Sequence, residues 1–401
     1  MRPAVICATS ALAAILALQG CARGTGPAAY VPIVVDAPRR VAPAGPNAFD
    51  AYVDLAGRAV AATTVAFDQR DTPGARRRAL AELERVLEEL AAATALPCTF
   101  RYSPISPRTH HEGWLLLGRA VVWRAEAAAS DRDWPEAVRW TVVATTFGVD
   151  LGGGATADAS LGYGIMDASR RAIGPHLPVM PGEALAALAD GLAGALSRLP
   201  GGAHTIENEG LAMLARVKAL QDAHRAGGLP EFAKGFHQRS RRAVEGLQEL
   251  EGIERQEFFR SLLDEQESLV GQLLERSQKP ASKREPVQYG LSGDLRVLAS
   301  QFFKTGEPWM AMRALAVART RLLTLTAALG AQVATTEAAP PSLAGIEPTL
   351  CIDPYTHLTF GYIPRGRGFV VYSYGIDGQD DRGDTDGERT SPDVLLEDAV
   401  L

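Results

Sequence analysis

The chain has 401 residues, enough for two or three domains with a sizeable core. A formal net charge of −6, with 22% charged residues, excludes a dedicated nucleic-acid binder, which needs clustered positive charge. Aromatic residues are only 6% against abundant alanine and leucine, so a mainly helical body is expected.

Arg2 precedes an uncharged run, PAVICATSALAAILAL, that leads into Leu18-Gln19-Gly20-Cys21. One positive residue before a short apolar core reads as a secretory signal. The run is shorter than the roughly 20 residues a membrane-spanning helix needs. LQGC resembles the bacterial lipobox, in which a Leu three residues before Cys and a small residue just before it direct lipid attachment. Residues 1–21 are therefore expected to be a lipoprotein-type signal, with Cys21 the lipidated residue. Ordinary secretion, with Cys21 merely near a cleavage site, is the other reading. On the lipoprotein reading residues 22–46 form a Pro- and Gly-rich tether, and the protein meets the membrane through its N-terminal lipid. That places it in the bacterial cell envelope, at the periplasm or cell surface.

Of the four cysteines, Cys98 and Cys351 remain as one even pair in an oxidising compartment. They are either bridged or two unrelated buried thiols. No C-x-x-C spacing occurs, which argues against a structural zinc site or a thioredoxin-type motif.

Residues 47–300 read as a helical body. Apolar residues recur at three- and four-residue intervals from Asn47, and a second helix opens at Asp71 or Thr72 with Pro73 at its first position. Two antiparallel helices follow, joined by SDRDWP, then the segments TADASLGYGIMDASRRAI, PGEALAALADGLAGALSRL and TIENEGLAMLARVKALQDAH. Val244, Leu247, Leu250 and Ile253, then Phe258, Phe259, Leu262 and Leu263, form stripes at helical spacing. KPASKREPVQYGLSGD reads as a loop or hinge. Residues 301–401 form a second region. A last helix starts at Pro308 and ends near Gly330. HLTFGYIPRGRGFVVYSYGIDG then alternates as a hairpin with PRGRG as its turn. The fold class expected is mainly α with a small C-terminal α+β unit, a helix packed on a short antiparallel sheet.

No catalytic constellation stands out. HHEGW lacks the H-E-x-x-H spacing that puts two metal ligands on one helical face, and His204, Glu207 and Glu209 do not share a face either. LGGGATADAS has no Lys-Ser/Thr and follows no strand, so it is read as a loop between helices. No G-x-S-x-G elbow occurs.

The acidic C-terminus is distinctive. From Asp377 to Leu401 there are nine acidic and two basic residues, a net of −7. Such crowding repels unless the tail stays solvated or a cation organises it. Calcium suits the second option, taking 6–8 oxygen ligands in flexible geometry. Of the nine, Asp377, Asp380, Asp381, Asp384, Asp386 and Asp393 are the candidate ligands. The spacing is not that of an EF-hand.

DPYTHLTFGYIPRGRGFVVYSYGIDGQDD resembles the C-terminal part of the major pseudopilin of type II secretion systems. Asp353-Pro354-Tyr355 matches the family's Asp-Pro-aromatic motif, with Tyr362 at or near its closing aromatic. Phe369, Tyr372, Ser373, Gly375, Asp377 and Gly378 match its second motif. The resemblance covers about the last 95 residues, and strongly only 353–381. It implies a calcium loop, with Asp377 as the first ligand and Asp393 as a second. Asp384 or Asp386 are alternatives to Asp393. Asp381-Arg382-Gly383 replaces the family's Gly-Gly. A pseudopilin also begins with a prepilin-peptidase site and a long apolar helix, so this chain is not a subunit that assembles in the usual way. As a whole it is similar to exported bacterial proteins built of a helical body and such a terminus. The function expected is a non-enzymatic envelope scaffold or interaction module that meets other envelope proteins. The alternative is an envelope hydrolase or small-ligand-binding protein with a site between helices, near His110, His111 and Glu112.

Overall fold

The computed structural model describes residues 45–63, 72–100, 110–234, 236, 238–303, 307–383 and 393–395. The signal, Cys21 and most of the tether lie outside them, as do Asp384 and Asp386. Among the described residues the architecture is mainly α with a small C-terminal α+β unit. The helices are α1 (Ala48–Ala62), α2 (Pro73–Ala93), α3 (His111–Ser130), α4 (Trp134–Leu151), α5 (Thr156–Ile173) and α6 (Gly182–Ser197). They continue as α7 (Gly202–Arg225), α8 (Leu229–Ala233), α9 (Gln238–Glu245), α10 (Gly252–Ser277), α11 (Gly293–Phe302) and α12 (Glu307–Thr336). Strands β1 (Gly361–Arg365), β2 (Gly368–Ser373) and β3 (Val394–Leu395) form one antiparallel sheet in that order.

Local chemistry sets the helix starts. Thr72 caps α2, its side chain accepting from Ala75 N at 3.2 Å, and Pro73 occupies the first helical position. Asp133 caps α4 in the same way, at the turn between α3 and α4. One stripe reads differently in space. Val244 and Leu247 are buried, but the helix breaks over 246–251 and α10 restarts at Gly252, whose φ is +52°. Ile253 then faces solvent, 73% exposed. A left-handed glycine ends one helical phase and starts another, which periodicity alone does not reveal.

The first core lies among α1 to α5, around Tyr52, Leu83, Leu87, Trp114, Trp140 and Phe147. Its polar pin is Asp150, 4% exposed, which accepts from Tyr52 Oη at 2.7 Å and from Arg198 Nη2 at 2.9 and 3.0 Å. Burial pushes the Asp150 carboxyl up to about 6, while the tyrosine and arginine donors pull the other way. Helices α4 and α5 cross on a pair of glycines. A Cβ on Gly162 would sit 2.3 Å from the Gly148 carbonyl oxygen, and one on Gly148 would sit 2.6 Å from that of Gly162.

Helix α12 is the second organiser. Pro308–Thr336 is long and apolar enough to cross a membrane by length and composition, yet 72% of its most apolar window is buried inside the protein. It packs most extensively on α6 and α5, and β2 lies against it. The helix runs six residues beyond Gly330, where its end was expected. Cys98 packs beside the first core, whereas Cys351 is buried in the turn before the hairpin. Both are free thiols, so of the two readings left open the structure has the unbridged one. Burial raises both thiol pKa values.

Gly162→Ala forces its methyl group onto a backbone carbonyl that cannot rotate away. Overpacking of this kind costs about 1–3 kcal/mol, and the upper end is expected here. Gly164→Ala, on the same helix with open space around it, is expected to be neutral or to stabilise by about 0.5–1 kcal/mol. Chemical denaturation of the two variants checks the contrast.

Candidate functional site

The C-terminal unit is built around Asp353. This residue is fully buried, and its carboxylate accepts from Tyr355 N at 3.0 Å, Ser373 Oγ at 2.9 Å and Tyr374 N at 3.0 Å. The Thr356 hydroxyl stands 3.4 Å away. Burial raises the Asp353 pKa above its ordinary value, and these donors oppose the rise. The Asp-Pro-Tyr motif thus ties the turn before β1 to the end of β2. Sequence reading matched Asp353 and Ser373 to a motif without seeing that they bond to each other. Asp353 N donates to the Leu358 carbonyl at 2.7 Å and closes the turn.

The same turn is anchored to the body. Ser282 donates from N and Oγ to the Tyr355 carbonyl, at 3.0 and 2.7 Å. Ala281, Ala314, Ala318 and Tyr355 form a small apolar core, with Val394 packed against it. The start of the segment read as a hinge is therefore a latch. In the hairpin Tyr362 pairs with Val371 and Arg365 with Gly368. Gly366, φ +66°, opens its two-residue turn.

Beyond β2 the chain coils through Gly375, Gly378, Arg382 and Gly383, all with φ between +60° and +73°. Three aspartates bind backbone or side-chain donors here. Asp377 accepts from Gln379 N at 3.0 Å. Asp380 accepts from Tyr372 Oη and from Arg382 N, each at 2.8 Å. Asp393 comes back beside this turn at the start of β3 and accepts from Gly383 N at 2.8 Å through Oδ2. Its Oδ1 is buried with no hydrogen-bond partner among the described residues, and the residue is 3% exposed. Burial, with the nearby negative charges of Asp380, Asp377 and Asp353, pushes the Asp393 carboxyl up to about 6. Asp381 is half-buried.

The oxygen-only donor set suits a hard cation such as calcium in kind. Among the described residues, however, the acidic loop does not bring three carboxylates within 4.8 Å of one another.

A different group does. Ring nitrogens of His110 and His111 and a carboxylate oxygen of Asp158 all lie within 4.8 Å of one another. His111 opens α3, and its Nε2 faces Asp158 Oδ1. Asp158, 2% exposed in the first turn of α5, also accepts from Ala155 N at 3.0 Å. His110 packs against Trp114 with ring centroids 4.1 Å apart and the planes tilted by 51°. Two imidazoles and one carboxylate match the donors of a divalent transition metal, leaving a fourth position open. The sequence pointed to Glu112 as third member, but Glu112 is exposed and Asp158 takes the place. Asp158 sits 47 residues away on a different helix, so local spacing carried no signal for it.

The other acidic–histidine group does not assemble. Glu209 is buried and accepts from Thr156 N and Oγ1, at 3.1 and 2.7 Å, and from Arg216 at 3.0 Å. It secures the start of α5, while Glu207 is exposed on another face. Comparison with known protein families, with curated proteins and with solved structures finds no match to this chain.

Asp353→Ala leaves three donors at the buried centre of the C-terminal unit without an acceptor. A loss of about 3 kcal/mol is expected, since each orphaned buried donor costs about 1–3 kcal/mol. Near-ultraviolet circular dichroism from the tyrosines should weaken, with the far-ultraviolet helical signal kept.

Proposed function

We propose that the chain is an exported protein of the bacterial cell envelope, held to the membrane through lipid on Cys21. On this reading it acts as a non-enzymatic scaffold or interaction module for other envelope proteins. Its C-terminal unit is stabilised by calcium through Asp377, Asp380 and Asp393, with Asp381, Asp384 and Asp386 available to complete the shell. One observation carries the ion: a buried carboxylate oxygen, Asp393 Oδ1, has no donor among the described residues and lies near further negative charge. A cation would supply the missing partner and offset the repulsion. The latch of residues 281–282 onto the Asp353 turn supports an ion effect on the whole C-terminal unit.

The test is thermal melting of the full chain carrying Cys21→Ser, in calcium and in chelator. Calcium should raise the midpoint with the concentration dependence of a ligand that binds only the folded state. Asp393→Asn and Asp377→Ala should each remove most of that rise. No shift at millimolar calcium would leave the acidic loop a solvated tail.

Proton linkage adds a second signature. The folded pKa of Asp393 lies above the ordinary carboxylate value of 3.8, so the folded state holds its proton more tightly than the unfolded state. Stability from this group is therefore full at low pH and is lost as pH rises from about 4 to about 6. In chelator, Asp393→Asn should flatten part of that decline relative to the parent. In calcium the parent should show little of it.

A second reading, a hydrolase or metal-dependent binding protein, is favoured by the His110, His111 and Asp158 group alone. Cobalt(II) titration decides it. A tetrahedral visible absorption band abolished by His111→Ala would support this reading. A featureless titration would remove it.

A further inference from the structure

A cleft of about 560 Å³ opens along one face of α12. Trp309, Met310, Arg313, Ala314, Val317 and Arg321 line it, at the spacing of a single helical stripe. The opposite walls come from Ser277 at the end of α10, from Arg284 and from the turn Ile352, Pro354 and His357. Among the described residues, no carboxylate lines it.

Its three arginines are the unusual feature. Among the described residues none of Arg284, Arg313 and Arg321 forms an ion pair, and each is held by neutral acceptors. Arg313 donates to Tyr163 Oη at 2.9 Å and to the Pro200 carbonyl at 2.8 Å. Arg284 donates from Nε to the Lys279 carbonyl at 3.1 Å, and Arg321 from Nη1 to the Ile352 carbonyl. Arg319, two residues before Arg321, instead pairs with Asp167 at 3.2 Å, so counter-ions are at hand elsewhere on the same helix. Among the described residues, two buried donors of cleft-lining side chains, Arg321 Nε and Trp309 Nε1, have no acceptor.

Electrostatics agrees with this geometry. Burial lowers the affinity of Arg284 and Arg321 for their protons, and the positive charge of Arg313 adds to both effects. Arg276 adds to the first. The negative groups nearest Arg321 are Asp353, already bound by its own donors, and Glu347, which accepts from Thr349. Neither lines the cleft. Like charges left together in a partly dry cleft cost stability unless an anion joins them.

We propose that this cleft binds a small organic anion, with a phosphate-type or carboxylate head against Arg284, Arg313 and Arg321 and an apolar body against Trp309, Met310 and Val317. Guanidinium forks match the paired oxygens of such heads. The volume falls in the range of small-molecule sites, roughly 300–1,000 Å³. The cleft shares no proposed ligand with the calcium loop, so the two can fail separately.

The experiment uses the full chain carrying Cys21→Ser, with calorimetry and thermal melting, and three probes. 1-Naphthyl phosphate combines head and body, 1-naphthol offers the body alone, and inorganic phosphate the head alone. 1-Naphthyl phosphate should bind and raise the melting temperature, with 1-naphthol and inorganic phosphate each at least about tenfold weaker. Arg321→Gln should weaken binding about tenfold or more, the worth of one charge-assisted hydrogen bond. Arg284→Gln should weaken it similarly yet melt no lower than the parent without probe, because it relieves repulsion by Arg313 and Arg276. That variant separates lost binding from lost folding. No binding of 1-naphthyl phosphate at millimolar concentration would overturn the proposal. So would equal affinity for 1-naphthol, or unchanged affinity in both variants.

Discussion

A helix of thirty residues, Glu307–Thr336, must be covered on most of its circumference, and the rest of the structure arranges itself to do so. Apolar area buried on folding stabilises at roughly 25 cal/mol per Å², so a helix this apolar cannot be left half in water. Helices α5 and α6 cover one side, and β2 with the Asp353 turn covers another. Two threonines within the buried stretch are satisfied by the helix's own backbone. Thr320 and Thr324 donate to the carbonyls of Ala316 and Thr320, each at 2.8 Å. The same packing that buries the helix also fixes its arginines. Arg319 meets an acid on α5, while Arg313 and Arg321 meet only neutral oxygens.

The hairpin unit is therefore an extension of the helical core. Its centre is a buried carboxylate, Asp353, whose charge is offset by short-range donors from both ends of the hairpin. Forty residues further along the chain, Asp393 repeats the device incompletely, with one oxygen bonded and one without a partner among the described residues. Buried charge without a partner is costly, and natural sequences keep it where something else supplies the partner. The contrast between these two aspartates, one satisfied and one not, gives the acidic loop its functional interest.

Legibility in the sequence followed interaction range. Elements set by neighbours a few residues apart read correctly: the Thr72–Pro73 helix start, the limits of 156–173 and the hairpin itself, although its turn is only Gly366-Arg367 and the rest of PRGRG belongs to the strands. Failures came where the third dimension decides. The break before Gly252 depends on a left-handed backbone, and β3 pairs only two residues with β2. The histidine pair was visible at 110 and 111, but its acidic partner Asp158 comes from another helix. The arginine cleft left no mark at all. Arg313 and Arg321 belong to an ordinary amphipathic spacing, and what distinguishes them is the lack of an acid opposite, which only packing reveals.

Hydrogen exchange read by mass spectrometry, in calcium and in chelator, would test most directly whether an ion organises the C-terminal unit. Calcium should slow exchange across β2, the loop to Gly383 and β3, and leave the amides of α3 to α6 unchanged. Identical exchange over 368–395 in the two conditions would contradict it, and the unpartnered oxygen of Asp393 would then need another explanation.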